Sequence, residues 1–232
     1  GPHREPDDHG RADHDAGDAA RSLVPGDAPV FFLLVVIAGE REAVRDQGLQ
    51  ERGARLDQRD RAGLAAAGIP LTLSLNVVQI AGNDCRPLAG AVVDVWQCDA
   101  HGQYSGVVDR AQGFDTRGKS FLRGYQVTDR DGRVEFTTIY PGWYPGRSVH
   151  IHFKVRTNES AGRAGEFTSQ WYFDDGMSDA VFTSGPYAEK AGRRTLNERD
   201  GIYRRGGREL MLEVRKTPDG YAGTFDLGVR IG

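Results

Sequence analysis

The chain after about residue 70 alternates apolar and polar positions, as half-buried β-strands do. From Leu71 to Val77 every second residue is Leu or Val, and the residues between them are polar. Further short apolar segments lie between turn residues, at 91–98, 134–139, 149–155, 170–173, 209–215 and 221–229. The last two segments flank Pro218-Asp219-Gly220, which predicts a closing hairpin. The pattern therefore predicts an all-β fold built as a β-sandwich, with long loops at 104–124 and 174–208.

A change of composition near Pro70 divides the chain into two parts. Residues 1–69 contain no Lys, Thr, Asn, Tyr or Trp, whereas all five types occur afterwards. We therefore predict an N-terminal extension over 1–69, disordered at its polar start, followed by a single domain over 70–232. Within the extension, 30–37 is a candidate buried strand and 40–67 is a candidate helix that three glycines interrupt.

Charge and composition exclude several classes of function. The net charge of −3 disfavours nucleic acid as a partner, because phosphate binding needs a clustered positive surface. The longest apolar run, Val30–Ala38, is shorter than the roughly 18 residues of a membrane-spanning helix, so no membrane partner is predicted. Cys85 in a turn and Cys98 at the far end of the next strand are too distant for a disulfide, and two free, buried thiols are expected.

The segment 140–153 carries the residues with the clearest chemical meaning. On a strand, His150 and His152 project from one face and can present two imidazoles to one metal ion. By themselves they are better interpreted as surface histidines. Tyr144 lies in a Pro/Gly-rich turn before them, and Tyr104 lies in a loop after an earlier strand. Two phenolates and two imidazoles suit ferric iron better than zinc or ferrous iron, and the closely spaced Cys/His sets of structural zinc are absent from the sequence.

Residues 70–232 resemble the intradiol ring-cleavage dioxygenases, the family of catechol 1,2-dioxygenase and protocatechuate 3,4-dioxygenase. The resemblance is carried by the stretches 94–99, 102–105, 122–124, 128–129, 132–133 and 141–153, and it is greatest to the small single-domain bacterial members. It implies a prealbumin- or immunoglobulin-like β-sandwich whose long loops form an active site. It also implies an Fe(III) cofactor and cleavage of catechol-type diols by O2 to cis,cis-muconate-type diacids. Some such members are secreted, which favours a secreted over a cytoplasmic location, and a homo-oligomer is compatible with the family.

The resemblance implies a role for each candidate residue. The metal ligands would be Tyr104, Tyr144, His150 and His152. Tyr144 would also take up a proton from the substrate. Arg147 would stabilise negative charge on the substrate, and Gln170 would lie beside the substrate. The alternative interpretations are a loop arginine that pairs with a carboxylate and an ordinary strand glutamine.

Two departures keep other functions open. Relatives of this kind carry a Thr-Pro-x-Gln-x-x-Gly-Pro-Tyr-Tyr-like segment that lines the substrate pocket, and it is not recognisable here. The unusual stretch 31–69 stands in its place, either as a divergent lid or as the product of a shifted reading frame. The stretches 87–91 and 128–132 also resemble prealbumin-like modules, some of which only bind carbohydrate or protein. The alternatives to an active enzyme are therefore an inactive iron-binding relative and a non-catalytic binding module.

Overall fold

The computed structural model describes residues 33–37, 66–82, 84–157 and 165–231, with only the backbone of 33–37 and 231. The strands are β1 Leu33–Ile37, β2 Pro70–Ala81, β3 Asp84–Pro87, β4 Val92–Trp96, β5 Val108–Asp109, β6 Phe114–Asp115, β7 Arg123–Val127, β8 Arg133–Ile139, β9 His150–Thr157, β10 Gly165–Tyr172, β11 Glu213–Thr217 and β12 Gly220–Ile231. One α-helix, α1, spans Asp175–Val181, and short 3-10 helices span Gly185–Glu189, Asn197–Arg199, Tyr203–Arg205 and Gly207–Leu210. In this part of the chain, none of the helices has the length and apolar character to cross a bilayer.

The strands form two main sheets. In the first sheet, β2 pairs with β12 on one side and with β8 and β3 on the other. Strand β12 pairs in turn with β11 along its first half and with β1, in parallel, along its second half. The second sheet is antiparallel and has the order β10-β9-β4-β7. Strands β5 and β6 form a small separate hairpin.

The apolar faces of the two sheets share one core. On β2, the four apolar residues of the alternating segment are at most 2% exposed. On β9, Ile151, Phe153 and Val155 are buried in the same cluster. Trp171 of β10 contacts Phe225 of β12 with ring centroids 5.8 Å apart, which joins the second sheet to the first. The predicted all-β sandwich is therefore confirmed, and the period-2 alternation is its cause.

Several details differ from the sequence predictions. β10 begins at Gly165 instead of Gln170, and β11 begins at Glu213 because the residues just before it form a 3-10 helix. Cys85 is exposed on β3 and not buried, since all four residues of this strand face solvent. Cys98 is buried, and both thiols are free, as predicted.

Other predictions are refined or remain untested. The predicted long loops are partly ordered, since the first contains β5 and β6 and the second contains α1. Part of the candidate strand 30–37 is confirmed as β1, Leu33–Ile37, whereas residues 30–32 and the predicted burial lie outside what the structure describes. The predicted disordered start of the chain lies outside the described residues, as does the candidate helix except for its last two positions, which are not helical.

Candidate functional site

Four donor atoms converge beside strand β9. Its odd-numbered side chains fill the core, and its even-numbered side chains, including His150 and His152, lie on the opposite face, as predicted. The Nε2 atoms of the two histidines lie 3.1 Å apart. The hydroxyl oxygens of Tyr104 and Tyr144 lie 3.3 Å and 3.1 Å from His150 Nε2. The structure therefore brings together all four predicted ligand residues.

The two tyrosines meet because the loops that carry them touch at Gly142. The Gly142 backbone N–H donates to the Asp99 carbonyl at 3.1 Å, and a Cβ at Gly142 would lie only 2.3 Å from that oxygen. The Asp99 carboxylate also accepts a hydrogen bond from the Gln103 backbone N–H at 2.9 Å, one residue before Tyr104. Backbone contact that only glycine permits therefore fixes Tyr104 relative to the turn that carries Tyr144.

The surroundings of the two histidines keep both rings neutral. His150 Nδ1 lies 2.6 Å from the Ser148 carbonyl, and only a protonated Nδ1 can donate to that oxygen. Its Nε2 therefore turns a lone pair toward the tyrosines. Burial, together with the nearby Arg147 cation, lowers the pKa of His150 to about 3. Burial and the neighbouring His150 hold the pKa of His152 well below its ordinary value. Neutral imidazole is the form that binds metal ions.

The two phenols are protonated in the protein alone. Burial raises the pKa of Tyr104 well above its usual range, and Tyr144 adds to this effect. Burial raises the pKa of Tyr144 to about 12, against the opposing effect of the Arg147 cation. A metal cation between the four donors would reverse both shifts, because a nearby positive charge favours the phenolate.

This donor set fits ferric iron. Two phenolate oxygens are hard anionic donors, and two neutral imidazoles complete a mixed O/N set that suits Fe(III). Within the described ranges, no group of three or more His, Cys, Asp or Glu side chains is placed to hold a metal ion. The donors that zinc and ferrous sites usually combine are therefore not assembled in this part of the chain.

Trp96 supports His152 from the neighbouring strand. The indole and imidazole rings are stacked, with centroids 5.0 Å apart and planes within 3° of each other. The Arg123 guanidinium lies 5.3 Å from the centre of the indole ring on which His152 stacks. The strand register explains this contact, because Trp96 on β4 is paired with His152 on β9. Trp96 was part of the recognised motif, but the sequence predicted no role for it.

Arg147 is held between two partners beside the four donors. Its Nε donates to Asp200 at 2.9 Å, and its Nη2 donates to the Gln170 side-chain oxygen at 2.6 Å. Gln170 is paired in register with His152. Arg147 and Gln170, two of the three predicted catalytic residues, are therefore hydrogen-bonded to each other. Arg147 also pairs with a carboxylate, as the alternative interpretation of a loop arginine required. Its position beside the four donors is compatible both with that interpretation and with a role in stabilising charge on the substrate.

Asp200 is a site residue that sequence reasoning missed. Its side chain is fully buried, and one oxygen accepts hydrogen bonds from the Ser148 N–H, the Ser148 hydroxyl and Arg147, each at 2.9 Å. Its other oxygen accepts from the Ile202 N–H at 2.7 Å. Burial opposes ionisation, but these hydrogen bonds and the guanidinium lower the pKa of Asp200 to about 2. No local sequence signal connects Asp200 with a partner 53 residues away.

Asp200 also helps to orient His150, because Ser148 is hydrogen-bonded to both residues. The carboxylate holds both the backbone N–H and the hydroxyl of Ser148, whose carbonyl accepts the Nδ1–H of His150. One buried charge therefore orients the arginine and, through one intervening residue, a histidine of the donor cluster.

Comparison with known proteins places these residues in a family context. The family model described as Dioxygenase matches residues 50–201. The chain is 30% identical over 166 residues to the protocatechuate 3,4-dioxygenase beta chain of Burkholderia cepacia, covering 65% of this chain and 68% of the relative. It is 31% identical over 112 residues to a chlorocatechol 1,2-dioxygenase of Pseudomonas sp. strain P51, covering 40% of this chain. That match spans only 41% of the relative's length.

A solved structure supports the same assignment. An intradiol ring-cleavage dioxygenase from Tetranychus urticae superposes with a TM-score of 0.61 at 33% sequence identity. The superposition covers 76% of this chain and 85% of that structure.

We expect the metal-free protein to lose stability as the pH falls below about 6.5. Unfolded histidines take up protons near that pH, whereas His150 and His152 stay neutral in the fold to much lower pH. Acid therefore favours the unfolded state. From these two protons, the free energy of unfolding should fall with a slope that approaches about 2.7 kcal/mol per pH unit. Urea unfolding between about pH 7.5 and about pH 5 measures it, and His152→Gln should halve the slope. Equal slopes in the two proteins would contradict this interpretation.

We also expect Asp200→Asn to destabilise the protein by about 3–5 kcal/mol, because it leaves Arg147 without its buried counter-charge. Asp115→Asn is the matched control. Asp115 pairs with Arg117 at the surface, where solvent screens the interaction, so its removal should have a much smaller effect. Urea unfolding at neutral pH compares the two variants. Similar losses of stability would show that Asp200 is not a buried anchor.

Proposed function

The chain belongs to the intradiol ring-cleavage dioxygenase family, and we propose that it uses O2 to open catechol-type rings at one ferric ion, giving cis,cis-muconate-type diacids. The observation that carries this proposal is the convergence of two phenols and two neutral imidazoles beside Arg147. In this proposal Tyr104, Tyr144, His150 and His152 hold the ion. When bound, ferric iron would supply Lewis acidity toward a chelated diol.

Tyr144 is proposed to receive a proton from the substrate. Its side chain is half-buried and lines an open cleft, so an incoming diol can reach its hydroxyl oxygen. Burial raises the pKa of Tyr144 to about 12, even with the Arg147 cation nearby. A Tyr144 phenolate without a bound metal ion would therefore be a strong base, able to take a proton from a catechol hydroxyl at its own oxygen.

Arg147 is proposed to stabilise negative charge that develops on the ring. Asp200 and Gln170 hold its guanidinium on two sides, so the cation is oriented before substrate binds. A fixed charge of this kind stabilises a transition state without a reorganisation cost. We propose that Gln170 acts through Arg147 as a positioning residue and lies beside the substrate, and its buried position next to His152 supports this role.

The two alternatives make different use of the same residues. A pure binding module has no need for four convergent donors, and burying two imidazoles and two phenols is costly unless something is gained. An inactive relative would keep the iron and lose turnover, because the pocket-lining segment in the first part of the chain departs from the family pattern. Iron binding separates the module from the inactive relative, and O2 uptake separates the inactive relative from an active enzyme.

The direct test is O2 uptake by the iron-loaded protein with catechol, protocatechuate and hydroxyquinol. We expect consumption of O2 in equimolar amounts with at least one diol. Tyr144→Phe and Arg147→Ala should each lower kcat/KM by about 10²–10³-fold, a typical loss for a proton-accepting group and for a charge-stabilising group respectively. Tyr125→Phe and Arg133→Ala, on strands away from the four donors, are the matched controls.

Each contradictory outcome is specific. If Arg147→Ala keeps full turnover, its charge-stabilising role is wrong. If the iron-loaded protein consumes no O2 with any of the three diols, the protein is an inactive relative. If it binds no iron at all, the binding module is favoured.

A further inference from the structure

An open cleft of 790 Å³ lies beside the two tyrosines. Among the described residues, its lining includes Tyr104, Asp109, Arg110, Gln112, Arg117 and Tyr144. The volume is within the range of about 300–1,000 Å³ that holds small organic ligands, and it exceeds the space that one aromatic ring needs. A diol that faces the tyrosines therefore leaves room in the cleft for substituents on its ring.

Among the described residues, three charged side chains line this cleft, and Arg117 and Asp109 already have partners. Arg117 forms an ion pair with Asp115 at 2.5 Å. Asp109 accepts hydrogen bonds from the Gln112 backbone N–H at 2.9 Å and from its side-chain amide at 2.8 Å. Arg110 forms neither an ion pair nor a hydrogen bond with any residue that the structure describes. The Gln112 amide is neutral, so Asp109 keeps its negative charge. Among the described residues that line the cleft, Arg110 is therefore the one cation whose guanidinium has no bonded partner.

The backbone around Arg110 is fixed relative to the site. Arg110 lies in the turn of the β5–β6 hairpin, where the Gly113 N–H donates to the Asp109 carbonyl at 2.9 Å. After β6, the Thr116 hydroxyl donates to the Tyr104 carbonyl at 2.6 Å. Gln112, at the tip of the hairpin, accepts a hydrogen bond from the Lys190 ammonium through its side-chain oxygen at 3.4 Å. The hairpin backbone is therefore anchored to Tyr104, so that only the Arg110 side chain must become ordered when a ligand binds.

We infer that Arg110 forms a subsite for a negatively charged ring substituent, so that the preferred substrates are catechols that bear a carboxylate. The inference rests on the proposed function, because it assumes that the diol faces Tyr104 and Tyr144. A guanidinium binds a carboxylate through two parallel hydrogen bonds, which gives direction as well as charge. Arg147 does not serve this purpose, because Asp200 and Gln170 already occupy its guanidinium.

The size of the effect follows from the exposure of Arg110. A charge-assisted hydrogen bond in a site open to water should favour the carboxylated diol over catechol by about 10- to 100-fold. Because the arginine is exposed, salt should screen the attraction and reduce this preference. Arg147, which is largely buried, should show little sensitivity to salt.

The test measures binding and turnover separately. Dissociation constants of protocatechuate and catechol are measured by calorimetry without O2 on the iron-loaded protein, and kcat/KM is measured for the same pair by O2 uptake. We expect Arg110→Gln to reduce the preference for protocatechuate by about 10- to 100-fold and Arg110→Lys to restore part of it. Arg117→Gln, on the same hairpin, is the matched control and should change the preference less than about 2-fold, since its charge is already paired.

The outcomes separate this inference from the proposed function. If Arg110→Gln weakens both ligands equally, or Arg117→Gln has the same effect, the subsite is wrong. If neither diol binds, the subsite and the proposed function are both wrong. If no diol is turned over, only the proposed function fails, because the dissociation constants still show whether Arg110 recognises the carboxylate.

Discussion

The two-residue period of strand β9 is the constraint on which the site depends. A strand sends alternate side chains to opposite faces, so one short segment can pack a core and present chemistry at the same time. Ile151, Phe153 and Val155 fix the strand in the sandwich, and that packing orients His150 and His152. Pairing with β4 and β10 then brings a stacking indole and a glutamine next to the second histidine. A slip of one residue would exchange the two faces and remove the site.

The site concentrates polar groups that the metal-free fold accommodates at a cost. Two imidazoles stay neutral and two phenols stay protonated, because partial or full burial disfavours the charged form of each. In the proposed function, a cation among the donors would relieve this cost by favouring the phenolates. Asp200 differs from these groups, since its hydrogen bonds keep it ionised and let it orient Arg147. The buried Asp200 carboxylate therefore orients Arg147, whereas the four neutral donors next to it are the groups proposed to bind the metal ion.

Local patterns in the sequence predicted the sandwich, the paired histidines and the tyrosine in the adjacent turn, because period and short spacing determine them. They could not predict Asp200, whose contact with Arg147 depends on how a distant loop folds back. The prediction that Cys85 is buried was wrong. Cysteine is often buried, but the residue type alone does not show that its strand lies at the edge of a sheet. The short distance between Tyr104 and Tyr144 depends on Gly142, because only a residue without a side chain fits against the Asp99 backbone. The sequence does not show that these two backbone segments are in contact.

Iron content together with the visible absorption spectrum tests the central claim, that two tyrosines and two histidines hold one ferric ion. We expect about one iron per chain and a broad visible band with a red to burgundy colour, since phenolate bound to Fe(III) absorbs by charge transfer. Tyr104→Phe and Tyr144→Phe should each weaken and shift that band, whereas Tyr125→Phe should leave it unchanged. A colourless protein without iron, or a band that neither ligand substitution alters, would contradict the account.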